Sequence, residues 1–263
     1  MIDRSAFFSA VRKEFGPLVQ PQVTGYAAIL DEAEKRGTAL NPLAYMLATA
    51  FHETARTMQP IREYGNRAYF MKMYDRTGSR PAVAKRLGNT VTGDGATFCG
   101  RGYVQLTGRG NYARASQKLG EDFVQFPDLV MQPGHAARIM FEGMEAGWFT
   151  TIDLSDTIDD KDESDAEDLR EFVAARAIIN GKDRAKTIGE YALAFERALK
   201  AGGYGRSVAA VRPSPQPSGQ TPPPPDIPAA PHGRMTQPDE PPVTAQPSSP
   251  PSWWRRLLRW IIS

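Results

Sequence analysis

Between Arg4 and Phe15 the apolar residues Phe7, Phe8, Val11 and Phe15 recur at the spacing of one helix face, and Gly16-Pro17 ends the run. A second helical pattern runs from about Gln22 to Arg36, with Val23, Tyr26, Ile29, Leu30 and Ala33 on one face and Gly37 as its stop. Asn41-Pro42 reads as an N-cap followed by proline at the first helical position. The helix it opens, from Leu43 to about Thr54, is apolar almost all round, as a buried central helix is, and Gln59-Pro60 breaks it. Residues 61–98 hold no sustained period. They read as mostly irregular, with a short helix near Ala82–Leu87 ending in Gly88-Asn89 and a turn at Gly93-Asp94-Gly95. Helical spacing returns at Arg109–Leu119, from Pro133 to Gly147-Trp148, at about Ala166–Ile179 and at about Ala185–Lys200, with Asn180-Gly181 between the last two. Strand signals are few, so the pattern predicts a mainly α fold.

The pattern stops at Gly202-Gly203. Residues 205–252 hold most of the prolines and no aromatic residue, a composition that predicts an extended, disordered linker rather than a packed core. The chain then ends in Trp253-Trp254-Arg255-Arg256-Leu257-Leu258-Arg259-Trp260-Ile261-Ile262 before Ser263. On a helical wheel the three arginines fall within an arc of about 100° and apolar residues fill the rest, which predicts a cationic amphipathic tail for an anionic membrane surface. The organisation expected is therefore a folded domain at 1–204, a linker at 205–252 and a tail at 253–263.

Composition narrows the function classes. Of 263 residues, 41% are hydrophobic and 24% charged, as in a soluble globular protein, and a net charge of +2 is too small to argue for nucleic acid. One cysteine, Cys99, excludes an intramolecular disulfide framework. It has no adjacent histidine or lysine to activate it and reads as inert. The N-terminus lacks a basic region followed by a long apolar run, so no secretory signal is expected and the chain would be made in the cytoplasm. No apolar run is long enough to span a bilayer.

Two short stretches carry chemistry. His52-Glu53 starts like a zinc-protease motif, but the position one turn on is Arg56, and His135 and His232 lie elsewhere, so no metal site is expected. Glu53 instead ends the buried helix, where a carboxyl would be partly desolvated and suited to general acid work. The second stretch is Gly100-Arg101-Gly102-Tyr103-Val104-Gln105-Leu106-Thr107-Gly108. Read as extended, it points Gln105 and Thr107 to one face and Val104 and Leu106 to the other, and its glycines allow close approach of a ligand. The acidic run Asp153–Asp168 lacks calcium-loop spacing and reads as a solvated loop.

Together, Ala50-Phe51-His52-Glu53-Thr54, Gly93-Asp94-Gly95, the Gly100–Gly108 segment with Asn111-Tyr112, Pro127-Asp128-Leu129-Val130 and Ala177-Ile178-Ile179-Asn180-Gly181 resemble the catalytic domain of glycoside hydrolase family 19, most closely its bacterial and phage endolysins. The resemblance implies a mainly α, lysozyme-like fold of two lobes around a glycan cleft. It implies hydrolysis of β-1,4 bonds in peptidoglycan or chitin without a cofactor. It makes Glu53 the general acid, gives Thr107 a hold on the attacking water, and assigns substrate contacts to Gln105, Asn111 and Asn180; His52 and Tyr103, in the same segments, are expected to bind substrate too. The second carboxylate is Glu63 by likeness to the endolysins, with Asp75 and Asp94 as alternatives. An inverting mechanism places such a pair about 6.5–9.5 Å apart. The absence of a cysteine-rich chitin-binding module tilts the substrate towards peptidoglycan. A chitinase is the alternative within the class, and a non-catalytic glycan- and membrane-binding envelope protein the alternative outside it. A monomer is expected.

Overall fold

In a computed structural model, residues 1–159, 161, 164–179 and 184–205 are described. Helix α1 (Arg4–Phe15) starts on the Asp3 carboxylate, which accepts from the Ala6 N–H, and closes at Gly16. Helix α2 (Gln20–Arg36) ends at Gly37 in the left-handed region, and Arg4 reaches across to its Asp31 and Glu34. Helix α3 (Leu40–Glu53) is buried over nearly its whole length. It packs most extensively on α10 (Ala185–Ala201), which also meets α1 and α9 (Asp165–Ala175). Phe51 joins these layers, with ring centroids 4.6 Å from Phe15, 5.2 Å from Tyr191 and 5.5 Å from Phe195. Each such ring contributes on the order of 2–3 kcal/mol on burial. Helix α8 (Pro133–Glu145) lies on α2, where Arg36 binds Glu142 and Glu145. These helices share one large hydrophobic core.

A second, smaller core gathers Phe70, Tyr74, Val83, Ala96 and Cys99. Its elements are short: α4 (Arg67–Tyr74), α5 (Pro81–Arg86) and α6 (Asp94–Thr97). Beside it, β1 (Ile61–Arg62) pairs antiparallel with β2 (Arg101–Gly102), Ile61 opposite Gly102 and Arg62 opposite Arg101. Helix α7 (Arg109–Leu119) leads back to the large core.

The mainly α expectation holds, and three local readings need correction. Asn41 is not a cap: Ala39 precedes the helix, and the buried Asn41 amide donates to Asp168 of α9 at 2.9 Å. Residues 61–98 are more ordered than their pattern implies, because α4 and α6 are too short to show a period. The acidic run contains a turn of 3-10 helix at Leu154–Asp156 and the start of α9, and Asp168 is buried. The linker and tail lie outside the described residues.

Candidate active site

Glu53 is the last residue of the apolar helix α3 and is itself buried. The chain then turns sharply. Ala55, Arg56 and Met58 all hold positive φ, at 52°, 68° and 53°, a rare sequence of left-handed non-glycine residues. The first turns of α2 pin this bend: Gln22 donates to the Arg56 carbonyl at 2.8 Å, and Gln59 donates to the Pro21 carbonyl. Gly25 makes the approach possible, since a Cβ there would sit 1.7 Å from the Met58 carbonyl oxygen.

The Glu53 side chain is buried, as its position implies, but it is not isolated. Arg176 Nη1 lies 2.8 Å from Glu53 Oε1, with the two side chains 0% and 4% exposed. Such a pair is fully desolvated, and removing either partner leaves a buried charge. Arg176 follows α9, whose Ala175 carbonyl accepts from the Tyr45 hydroxyl at 2.8 Å.

Glu63 follows β1 directly. Its backbone N–H donates to the Gly100 carbonyl at 2.8 Å, and the Gly100 N–H donates back to Glu63 Oε2 at 3.1 Å. The Tyr74 hydroxyl donates to Oε1 at 2.7 Å. Burial pushes the Glu63 carboxyl up to about 7, against the lowering effect of those hydrogen bonds and of Arg62.

Around Gly100 three oxygens converge. A Cβ on Gly100 would lie 2.8 Å from Gln105 Oε1, 3.2 Å from Glu63 Oε2 and 3.2 Å from Thr107 Oγ1. Gln105 Oε1 is buried with no hydrogen-bond partner among the described residues. An acceptor left in this way is expensive unless something donates to it. The Gln105 amide nitrogen is held by the Ile61 and Gly102 carbonyls at 3.0 and 3.2 Å, so the free oxygen has a fixed direction.

The segment that carries Gln105 is not extended. Arg101 and Leu106 exchange backbone hydrogen bonds around a tight turn, with Gln105 at φ 53°, and Val104, Gln105, Leu106 and Thr107 are all buried. The alternation read from sequence fails because the chain reverses within it. Tyr103 is also corrected: its ring has no exposed surface, its hydroxyl donates to the Gly25 carbonyl, and it belongs to the large core rather than to a substrate site. Arg101 is a buried clip, bonded to Asp128, the Thr97 and Cys99 carbonyls and the Tyr112 hydroxyl.

The other candidates separate clearly. Asn111, in the first turn of α7, donates to the Thr107 carbonyl at 2.7 Å and lines a cavity of about 430 Å³ with Gln105 and Thr107. His52 is half-buried beside Glu53, and Asn180 lies outside the described residues. Asp75 and Asp94 are loop anchors. Asp75 accepts from Thr77, Gly93 and Gly95, and Asp94 from Thr90, Val91 and Arg109. Burial would raise both carboxyls, but these hydrogen bonds outweigh it and hold them below the ordinary aspartate range. Neither is free to act as a base. Sequence reasoning missed Arg176 and Tyr74. The arginine showed itself only as a charge inside the apolar run Phe172–Ile179, and the tyrosine sat in a segment without a period.

Residues 22–160 match the family model described as class I chitinase. A 36-residue stretch is 56% identical to the acidic 27 kDa endochitinase of Solanum lycopersicum; the match spans 14% of this chain and 15% of that protein. Chitinase C from Streptomyces griseus HUT6037 is 21% identical over 77% of each chain, with a TM-score of 0.48. A bacterial family 19 chitinase is 20% identical over 77% of this chain and 85% of its own, with a TM-score of 0.36. The family match covers more than half of the sequence, and the chain belongs to glycoside hydrolase family 19, the class I chitinase family.

Proposed function

We propose that the protein is a cell-wall lytic glycosidase that hydrolyses β-1,4 bonds of peptidoglycan by an inverting mechanism. The observation that carries this reading is the convergence of Glu63, Gln105 and Thr107 oxygens on the face of Gly100, with Gln105 Oε1 awaiting a donor. A sugar hydroxyl or acetamido N–H supplies that donor. Glu53 protonates the leaving oxygen, Glu63 takes a proton from water, and the Thr107 hydroxyl orients that water. A base whose carboxyl sits near 7 has a stronger pull on the proton than an ordinary glutamate.

One comparison favours an exchange of the two roles: Glu53 is held by a buried guanidinium, while burial raises the Glu63 carboxyl to about 7. The two assignments differ in sign. With Glu63 as base, the rate rises with pH through about 7. With Glu63 as acid, it falls over the same range. A second reading of the substrate is chitin, favoured by the endochitinase and chitinases to which the chain is similar. The tail at 253–263 is proposed to bring the enzyme to anionic membrane. Salt-sensitive binding to anionic vesicles that survives its deletion counts against that part.

The test is digestion of purified peptidoglycan and of chitin oligomers, with the new reducing ends identified by mass spectrometry. New ends from peptidoglycan, lost in Glu53→Gln, support the reading. Intact glycan from both substrates refutes it and leaves the binding-protein alternative.

A further inference from the structure

The cavity that Gln105, Thr107 and Asn111 line is also lined by Trp148 and by two arginines, Arg86 and Arg114. They come from different elements, Arg86 from the end of α5 and Arg114 from the middle of α7. Their situation differs from that of the other arginines nearby. Arg101 is neutralised by Asp128 at 2.8 Å, and Arg109 by Asp94 at 2.6 Å. Arg114 donates only to the Trp148 carbonyl, at 3.1 Å, and Arg86 has no hydrogen-bond or ion-pair partner among the described residues. Among the described residues that line the cavity there is no carboxylate.

Two unneutralised guanidinium groups lining a sugar-sized cavity match an anionic glycan better than a neutral one. A polymer of N-acetylglucosamine carries no charge. Peptidoglycan carries carboxylates on every second sugar, at the lactyl group or along the peptide attached to it. The planar guanidinium fork matches a carboxylate in two hydrogen bonds, which a hydroxyl does not reproduce. The Arg114 bond to the Trp148 carbonyl fixes one of the two forks at the rim, so less side-chain entropy is lost on binding.

We infer that Arg86 and Arg114 form a carboxylate subsite that selects the acidic, peptide-bearing sugar of peptidoglycan over neutral chitin. This rests on the glycan-cleft reading of the cavity and names the substrate feature that the cleft recognises. Both side chains are exposed, so the selection is electrostatically screened and weakens with salt.

The experiment compares a soluble disaccharide–peptide fragment of peptidoglycan with the same fragment methyl-esterified at its carboxyls. Binding to the full-length protein is followed by titration calorimetry at low ionic strength. The free acid is expected to bind at least about tenfold more tightly than the ester, and this ratio should fall to near one in Arg86→Gln/Arg114→Gln. Arg86→Gln alone, which breaks no bond seen within the protein, should lower the ratio by about threefold, and Arg86→Glu should lower it further. A ratio near one in the wild type, or a ratio that the double variant leaves intact, overturns the subsite. Binding is read without turnover, so a protein that binds the acid selectively yet releases no reducing ends refutes the hydrolytic reading and leaves the subsite standing.

Discussion

Glu53 and Glu63 are held by opposite kinds of structure. Glu53 is the end of a helix whose burial was set by apolar side chains, and its partner Arg176 comes from another buried segment of the large core. Glu63 sits after a two-residue strand, among short helices held by side-chain bonds to backbone: Asp75 to Gly93 and Gly95, Asp94 to Thr90 and Val91, Asn89 to Tyr74 and Arg109. One carboxyl is fixed by packing and an ion pair, the other by hydrogen bonds alone. Packing tolerates the loss of a polar atom far from it. A hydrogen-bonded cradle is sensitive to any atom placed inside it.

The comparison can be broken in several ways, and the largest effect is on the packed side. Glu53→Gln keeps a hydrogen-bonding group beside Arg176 but removes the proton donor, so kcat/KM on peptidoglycan should fall about 10²–10⁴-fold. The Arg176 charge left unpaired should lower stability, circular dichroism should show the fold retained, and a folded variant with wild-type turnover would remove Glu53 from the mechanism. On the hydrogen-bonded side, Gly100→Ala drives a methyl among Gln105, Glu63 and Thr107 and should cost about 100-fold in kcat/KM through misplacement of these groups. Unchanged kinetics would mean the three oxygens do not act together.

Stability offers two sharper tests. Gly25→Ala forces the bend at residues 55–58 away from α2 and should destabilise by about 3 kcal/mol or more, read from denaturant unfolding. Glu63→Gln should do the reverse at high pH. The folded protein holds the Glu63 proton up to about 7 against an ordinary value of 4.5, so the native state binds more protons than the unfolded one between those values. Stability from this group is therefore complete below about 4.5 and lost as pH rises through about 7. The variant escapes that loss, worth up to about 3 kcal/mol. Its gain over wild type should be larger at pH 8 than at pH 5, and an equal gain at both would mean that Glu63 titrates normally.

The same contrast explains what the sequence made legible. Helices α1, α7 and α10 could be read almost to the residue, because long apolar periods and glycine stops are local signals. Glu53 was legible for the same reason. Helices α4 and α6 were not, since eight and four residues span too few turns to show a face. The Gly100–Gly108 stretch stood out in the sequence while its shape was misread. Its glycines are visible in sequence, but the reversal that puts Gln105 at positive φ depends on the Arg101–Leu106 backbone pairing and on Ile61, 44 positions away. Arg176 was hidden because a buried charge reveals its purpose only with its partner in place.

The pH dependence of kcat/KM on soluble peptidoglycan fragments tests the account most directly, because it asks whether the two carboxyls divide the chemistry as assigned. With Glu63 as the base, the rate should rise tenfold per pH unit below an inflection near 7 and level off above it. A rate that falls with rising pH through that inflection, or one that stays flat from pH 5 to 8, would contradict it.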